Sequence, residues 1–166
     1  MYYIYFLFTI TFGISIYFLT FQYKYIIFYI IGSLFCILTN IILKILIKEP
    51  HLQEDKVLFN ILLNNNKHID FFKYGMPSGF SQFLFFTVTY LYFIKKKEVK
   101  KNYIIFLLLF LFYYFNEKKS SNIQIFIGVF FGFVIGYIIF FLTNQYMNSL
   151  LKNKKDDNVL IYSNPL

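Results

Sequence analysis

The chain has 166 residues, sixteen basic against eight acidic side chains and a formal net charge of +8; 58% of it is hydrophobic and only 14% charged. That balance excludes a disordered chain and argues against an ordinary soluble domain, and the length leaves room for one domain. All sixteen basic residues are lysine, arginine is absent, and the single cysteine, Cys36, lies inside an apolar run, so a disulfide framework and a cysteine metal cluster are excluded as well.

Taken in chain order, Tyr2–Phe21 is twenty residues without a charge, Tyr25–Leu43 nineteen, Ser78–Ile94 seventeen and Ile123–Thr143 twenty-one. A helix needs about 20 residues to cross a hydrocarbon core of about 30 Å, so these runs predict membrane spans. Tyr103–Phe115 has thirteen. It is predicted to cross with Lys101 and Lys118 snorkelling, the alternative being a re-entrant or interfacial helix. The first run has no basic residues ahead of it and no small-residue cleavage site behind it, and is read as a retained span rather than a signal peptide. The loop 48–77 holds Val57, Leu58, Phe59, Ile61, Leu62 and Leu63 before three asparagines, a patch that predicts a short helix lying in the membrane interface.

The predicted fold is therefore all-α. A membrane-embedded domain, residues 1–143, carries five spans near 2–21, 25–47, 78–94, 103–115 and 123–143, and residues 144–166 form a polar, mobile cytoplasmic tail. Five spans put alternate loops on opposite sides. Lys24, the cluster Lys95, Lys96, Lys97, Lys100 and Lys101, and Lys152, Lys154 and Lys155 make nine on one side, against six in 48–77 and 116–122. The excess predicts that the first side is cytoplasmic and the two other loops lumenal or exterior. The same rule accounts for the lysines without nucleic acid.

Few polar residues sit at membrane depth. Asn40 and Lys44 are four apart on one helical face. A lysine there either snorkels to the interface or meets an anion. Tyr74-Gly75-Met76-Pro77-Ser78-Gly79 precedes the third long run. Proline suits the first turn of a helix, and free N–H groups beside a serine hydroxyl favour an anion, although an ordinary helix start has the same composition. Gln124 is followed by Gly128, Gly132 and Gly136, a spacing that makes a smooth groove for close helix packing. Lys44, Ser78 and the segment 120–124 all fall at the same predicted membrane face.

These segments resemble the type 2 phosphatidic acid phosphatase superfamily, in particular its dolichyl diphosphatase branch. The family's first motif, a lysine followed by six residues and Arg-Pro, is similar to Lys44 through Lys48-Glu49-Pro50 and His51-Leu52. Its second, Gly-Met-Pro-Ser, a small residue and histidine, resembles Gly75-Met76-Pro77-Ser78-Gly79-Phe80, with Gln82-Phe83 following. Its third ends in Asp or Gln before a glycine-spaced helix; aligning Gln124 there puts Tyr113-Tyr114 at Ser-Arg and Ser120 at the histidine. The resemblance covers roughly residues 40–136 and implies a helical membrane fold with its site at the span ends and no cofactor or metal. It also implies phosphate contacts from Lys44, His51, Ser78 and Gly79, with Ser120 and Phe80 at the positions of the phosphohistidine nucleophile and the leaving-group acid.

Both histidines and both arginines of that family are replaced. Phe80 has no proton to give, Ser120 has no aligned base, and Tyr114 offers one neutral donor where a guanidinium offers five. Losing nucleophile, acid and clamp removes most of what drives phosphoryl transfer. The expectation is a catalytically degenerate lipid phosphatase-like protein that binds a phospholipid or isoprenoid phosphate. The alternatives are an active hydrolase with a rearranged site, using His51, His68 or Ser120, and a small multi-span protein unrelated to phosphate.

Overall fold

A computed structural model describes residues 2–19, 23–52, 54–65, 69, 73–94, 103–116 and 120–162, with the side chains of 2–4, 103 and 150–162 excepted. His68 and the lysine cluster 95–101 lie outside the described residues. Among the described residues there are six helices and no strand: α1 (Tyr2–Leu19), α2 (Tyr23–Ile47), α3 (Lys56–Asn64), α4 (Gly79–Ile94), α5 (Tyr103–Asn116) and α6 (Asn122–Tyr162). The all-helical prediction holds. α3 coincides with the apolar patch of the long loop, where Asp55 caps it by accepting from the N–H groups of Val57 and Leu58 at 2.9 and 3.3 Å.

Among the described residues two helices are long and apolar enough to cross a membrane, α2 with 25 residues and α6 over Asn122–Ser149 with 28. The described apolar parts of the others, Tyr5–Leu19, Gly79–Ile94 and Ile104–Asn116, are shorter. At about 1.5 Å per residue, α4 rises only about 24 Å. Its position offsets this, because α4 touches α1, α2, α5 and α6 and is buried on nearly every side. α2 has the opposite pattern. Ile27, Ile31, Leu34, Leu38, Ile42 and Ile45 are all exposed. A soluble helix turns such residues inward, so this apolar outer face suits a hydrocarbon surrounding.

The core is aromatic. Tyr29, wholly buried, stacks on Phe12 and Phe86 with ring centres 5.7 and 5.6 Å away, and its hydroxyl is 3.0 Å from Thr87 Oγ1. Tyr90 donates to the Tyr25 carbonyl at 2.9 Å. Each phenol thus has a partner where water has no access.

Gly128, Gly132 and Gly136 lie against the α4 backbone, as the four-residue spacing predicts. A Cβ would come 2.6 Å from Ser78 O at Gly128, 2.7 Å from Phe86 O at Gly136, and would collide with Gln82 O at Gly132. The absence of side chains at these three positions lets the two backbones approach closely. The tail differs from expectation. α6 does not stop where the composition turns polar at residue 144 but continues as helix to Tyr162. No glycine or proline interrupts residues 137–162, so nothing local ends the helix.

Candidate functional site

The C-terminus of α2 is turned by Lys48, whose φ of 53° is left-handed and whose N–H donates to Lys44 O at 3.0 Å. The chain then runs extended through Glu49-Pro50-His51 and pairs with Lys73-Tyr74-Gly75. His51 N donates to Lys73 O at 3.1 Å, Gly75 N donates to Glu49 O at 2.7 Å, and Pro50 and Tyr74 form an antiparallel bridge. The ends of the long loop are thereby closed on each other, bringing the first motif segment to the second. Phe59 of α3 packs edge-on against Tyr74, ring centres 5.7 Å apart.

The third segment joins through Gln124. Its Nε2 donates to Pro50 O at 2.9 Å, its Oε1 accepts from Ser121 N at 3.1 Å, and its backbone carbonyl accepts from Ser78 N at 3.0 Å. Gln124 N donates in return to Ser121 Oγ at 3.3 Å. Ser121 and Gln124 are thus a capping box at the start of α6, a Ser-x-x-Gln signal readable in the sequence. Gly75 lies in the crossing, where a Cβ would sit 2.8 Å from Gln124 Nε2 and 2.9 Å from His51 Cα.

Ser78 is buried, and its hydroxyl lies 2.6 Å from that of Tyr113 and accepts from Ser81 Oγ at 3.1 Å. Ser78's own share of the expected anion donors is therefore engaged internally, its N–H by Gln124 and its hydroxyl by Tyr113. Gly79 admits Asn40, since a Cβ there would lie 3.3 Å from Asn40 Oδ1. Asn40 Nδ2 donates to Gln82 Oε1 at 2.8 Å and to Pro77 O at 3.3 Å, and Gln82 Nε2 donates to Cys36 O and Thr39 Oγ1. This amide pair crosslinks α2 and α4 and was not legible from composition. Lys44 follows Asn40 by one turn on the same face and is half-buried.

Phe80 and Ser120, where the resemblance puts the acid and the nucleophile, are among the described residues. Phe80 is buried, with ring centres 4.7 Å from Tyr113 and 5.4 Å from Phe8. Ser120 is buried just ahead of α6, and Tyr114 is exposed, donating to Asn122 Oδ1 at 3.3 Å. His51 is held by its backbone at the loop closure and is half-buried. Among the described residues, no three His, Cys, Asp or Glu side chains gather as a metal site.

The structure thus brings together Pro50, His51, Gly75, Ser78 and Gln124. Comparison with protein-family models, with curated proteins and with solved structures finds no match to this chain.

Proposed function

We propose that this chain is a non-hydrolysing membrane protein on the five-span plan of the type 2 phosphatidic acid phosphatases. In this reading it binds an anionic lipid, a phospholipid or an isoprenoid phosphate, at the non-cytoplasmic span ends. The observation that supports it most is the join at Gln124, whose side chain holds Pro50 and whose carbonyl holds Ser78, 74 and 46 residues away by number. Three segments that resemble one family's motifs, in that family's order, meet at one end of the bundle. Lys44 is the charge that such a site retains, and in this reading it also attracts phosphate oxygens. Hydrolysis is lost because Phe80 cannot protonate a leaving group and Ser120 lacks an activating base.

A second reading, a bundle with no phosphate ligand, is favoured by one observation. The polar groups of Gln124, Ser78 and Asn40 are engaged by other parts of the chain.

Purified protein in lipid nanodiscs separates them. The expected result is no phosphate release from phosphatidic acid or farnesyl diphosphate above a mock preparation, with phosphatidic acid retained over phosphatidylcholine and that preference lost in Lys44→Gln. Turnover abolished by Lys44→Ala would overturn the non-hydrolysing assignment. Equal retention of the two lipids would favour the bundle without a ligand.

A further inference from the structure

An apolar groove of about 410 Å³ opens between α1, α2 and α4, walled by Phe12, Leu34, Ile37 and Phe83. That volume lies within the range of roughly 300–1,000 Å³ usual for sites holding a small molecule. Gly13 forms part of it and faces open space, with nothing within 4 Å of where a Cβ would be. The two polar side chains in the lining are turned away from any ligand. Thr9 Oγ1 donates to Phe6 O at 2.8 Å and Ser33 Oγ to Tyr29 O at 2.7 Å, each within its own helix. Both hydroxyl protons are thus committed and the rest of the lining is apolar, so the groove offers no free side-chain donor and selects hydrocarbon.

Its surroundings and one end narrow the occupant further. α2 is long enough to cross a membrane and its outer face is apolar, so the groove opens on hydrocarbon rather than water. Along α2 the groove face runs through Ile30, Leu34 and Ile37 and then, two turns on, to Lys44. Seven residues bring the helix back to almost the same face about 10 Å further along. By register Lys44 thus lies on the continuation of the groove's face of α2, and a lysine beyond an apolar slot is the complement of an anionic amphiphile.

We propose that the groove between α1, α2 and α4 holds one acyl chain of an anionic bilayer phospholipid, whose phosphate headgroup meets Lys44. The headgroup half of this assignment rests on the function proposed above; the acyl-chain half rests on the groove.

The test uses the full chain in phosphatidylcholine nanodiscs with a trace of phosphatidic acid, or of phosphatidylcholine, carrying a photoreactive group in one acyl chain. Cross-linked peptides are then mapped by mass spectrometry. Phosphatidic acid is expected to label the groove peptides, residues 8–13 and 30–37, about five-fold more than phosphatidylcholine, the effect of one lysine near an anionic lipid. Lys44→Gln removes that excess. Gly13→Phe, filling the slot, removes groove labelling by both lipids, whereas Gly13→Ala, whose methyl enters open space, leaves it unchanged and reports that the helix still folds. A Lys44-dependent preference with labelling outside the groove, or insensitive to Gly13→Phe, overturns this inference and leaves the proposed function standing. Groove labelling without preference for phosphatidic acid shows ordinary bilayer lipid in the slot and overturns the headgroup assignment. Absence of such a preference anywhere on the protein overturns the proposed function itself.

Discussion

Gln124 donates its side-chain amide to the Pro50 carbonyl at 2.9 Å, tying the first turn of α6 to the segment that leaves α2. Gln124 is 1% exposed, so the carbonyl it satisfies has no easy recourse to water. Gln124→Leu is expected to strand that carbonyl and dismantle half of the capping box, lowering stability by about 2–4 kcal/mol. Thermal unfolding in detergent measures it. A loss no greater than that of an exposed control such as Asn122→Ala would show that the join is dispensable.

The glycines of α6 and α1 make a paired prediction. Gly132→Ala places a methyl against Gln82 O and forces α4 and α6 apart, with an expected loss of about 1–3 kcal/mol. Gly13→Ala meets nothing and gains helix propensity, an expected increase of up to about 1 kcal/mol. Opposite signs for two identical substitutions, read by the same unfolding assay, distinguish packing from propensity.

The Ser78–Tyr113 hydrogen bond joins two buried hydroxyls, one just ahead of α4 and one on α5. Tyr113→Phe and Ser78→Ala should each destabilise, and a double-mutant cycle should return a coupling of about 1 kcal/mol. Neither substitution should alter the preference for phosphatidic acid. A selective loss of lipid retention in Ser78→Ala, with unfolding unchanged, would instead make Ser78 a ligand contact.

Lys48 carries a left-handed φ at the position after a helix where glycine is the usual residue. Lys48→Gly is expected to stabilise by about 1 kcal/mol, because the side-chain penalty in that conformation disappears. The exchange also removes an exposed charge, so Lys48→Gln serves as the control, expected to leave stability unchanged.

The helices, and the ends of all of them except the C-terminus of α6 to within a few residues, were readable from the order of amino acids. Long runs without charge, and backbone groups that lipid cannot satisfy, leave the helix as the solution, and that is a local property. The sequence also carried a close-packing face on α6, because glycine spacing repeats along one helix face, but not that α4 is the helix packed there. The capping box of Ser121 and Gln124 has a Ser-x-x-Gln signal in the sequence, but a reading for spans passes over it. What each side chain holds was not legible. That Gln124 reaches Pro50, that Tyr113 rather than a ligand meets the Ser78 hydroxyl, and that Asn40 turns to Gln82 depend on how each helix is rotated and in what register. Those quantities are set by packing between segments far apart in the chain. The same line separates the lysines from the groove. Charge asymmetry near span ends predicts an orientation from sequence alone, but the apolar groove between α1, α2 and α4 exists only where three helices meet.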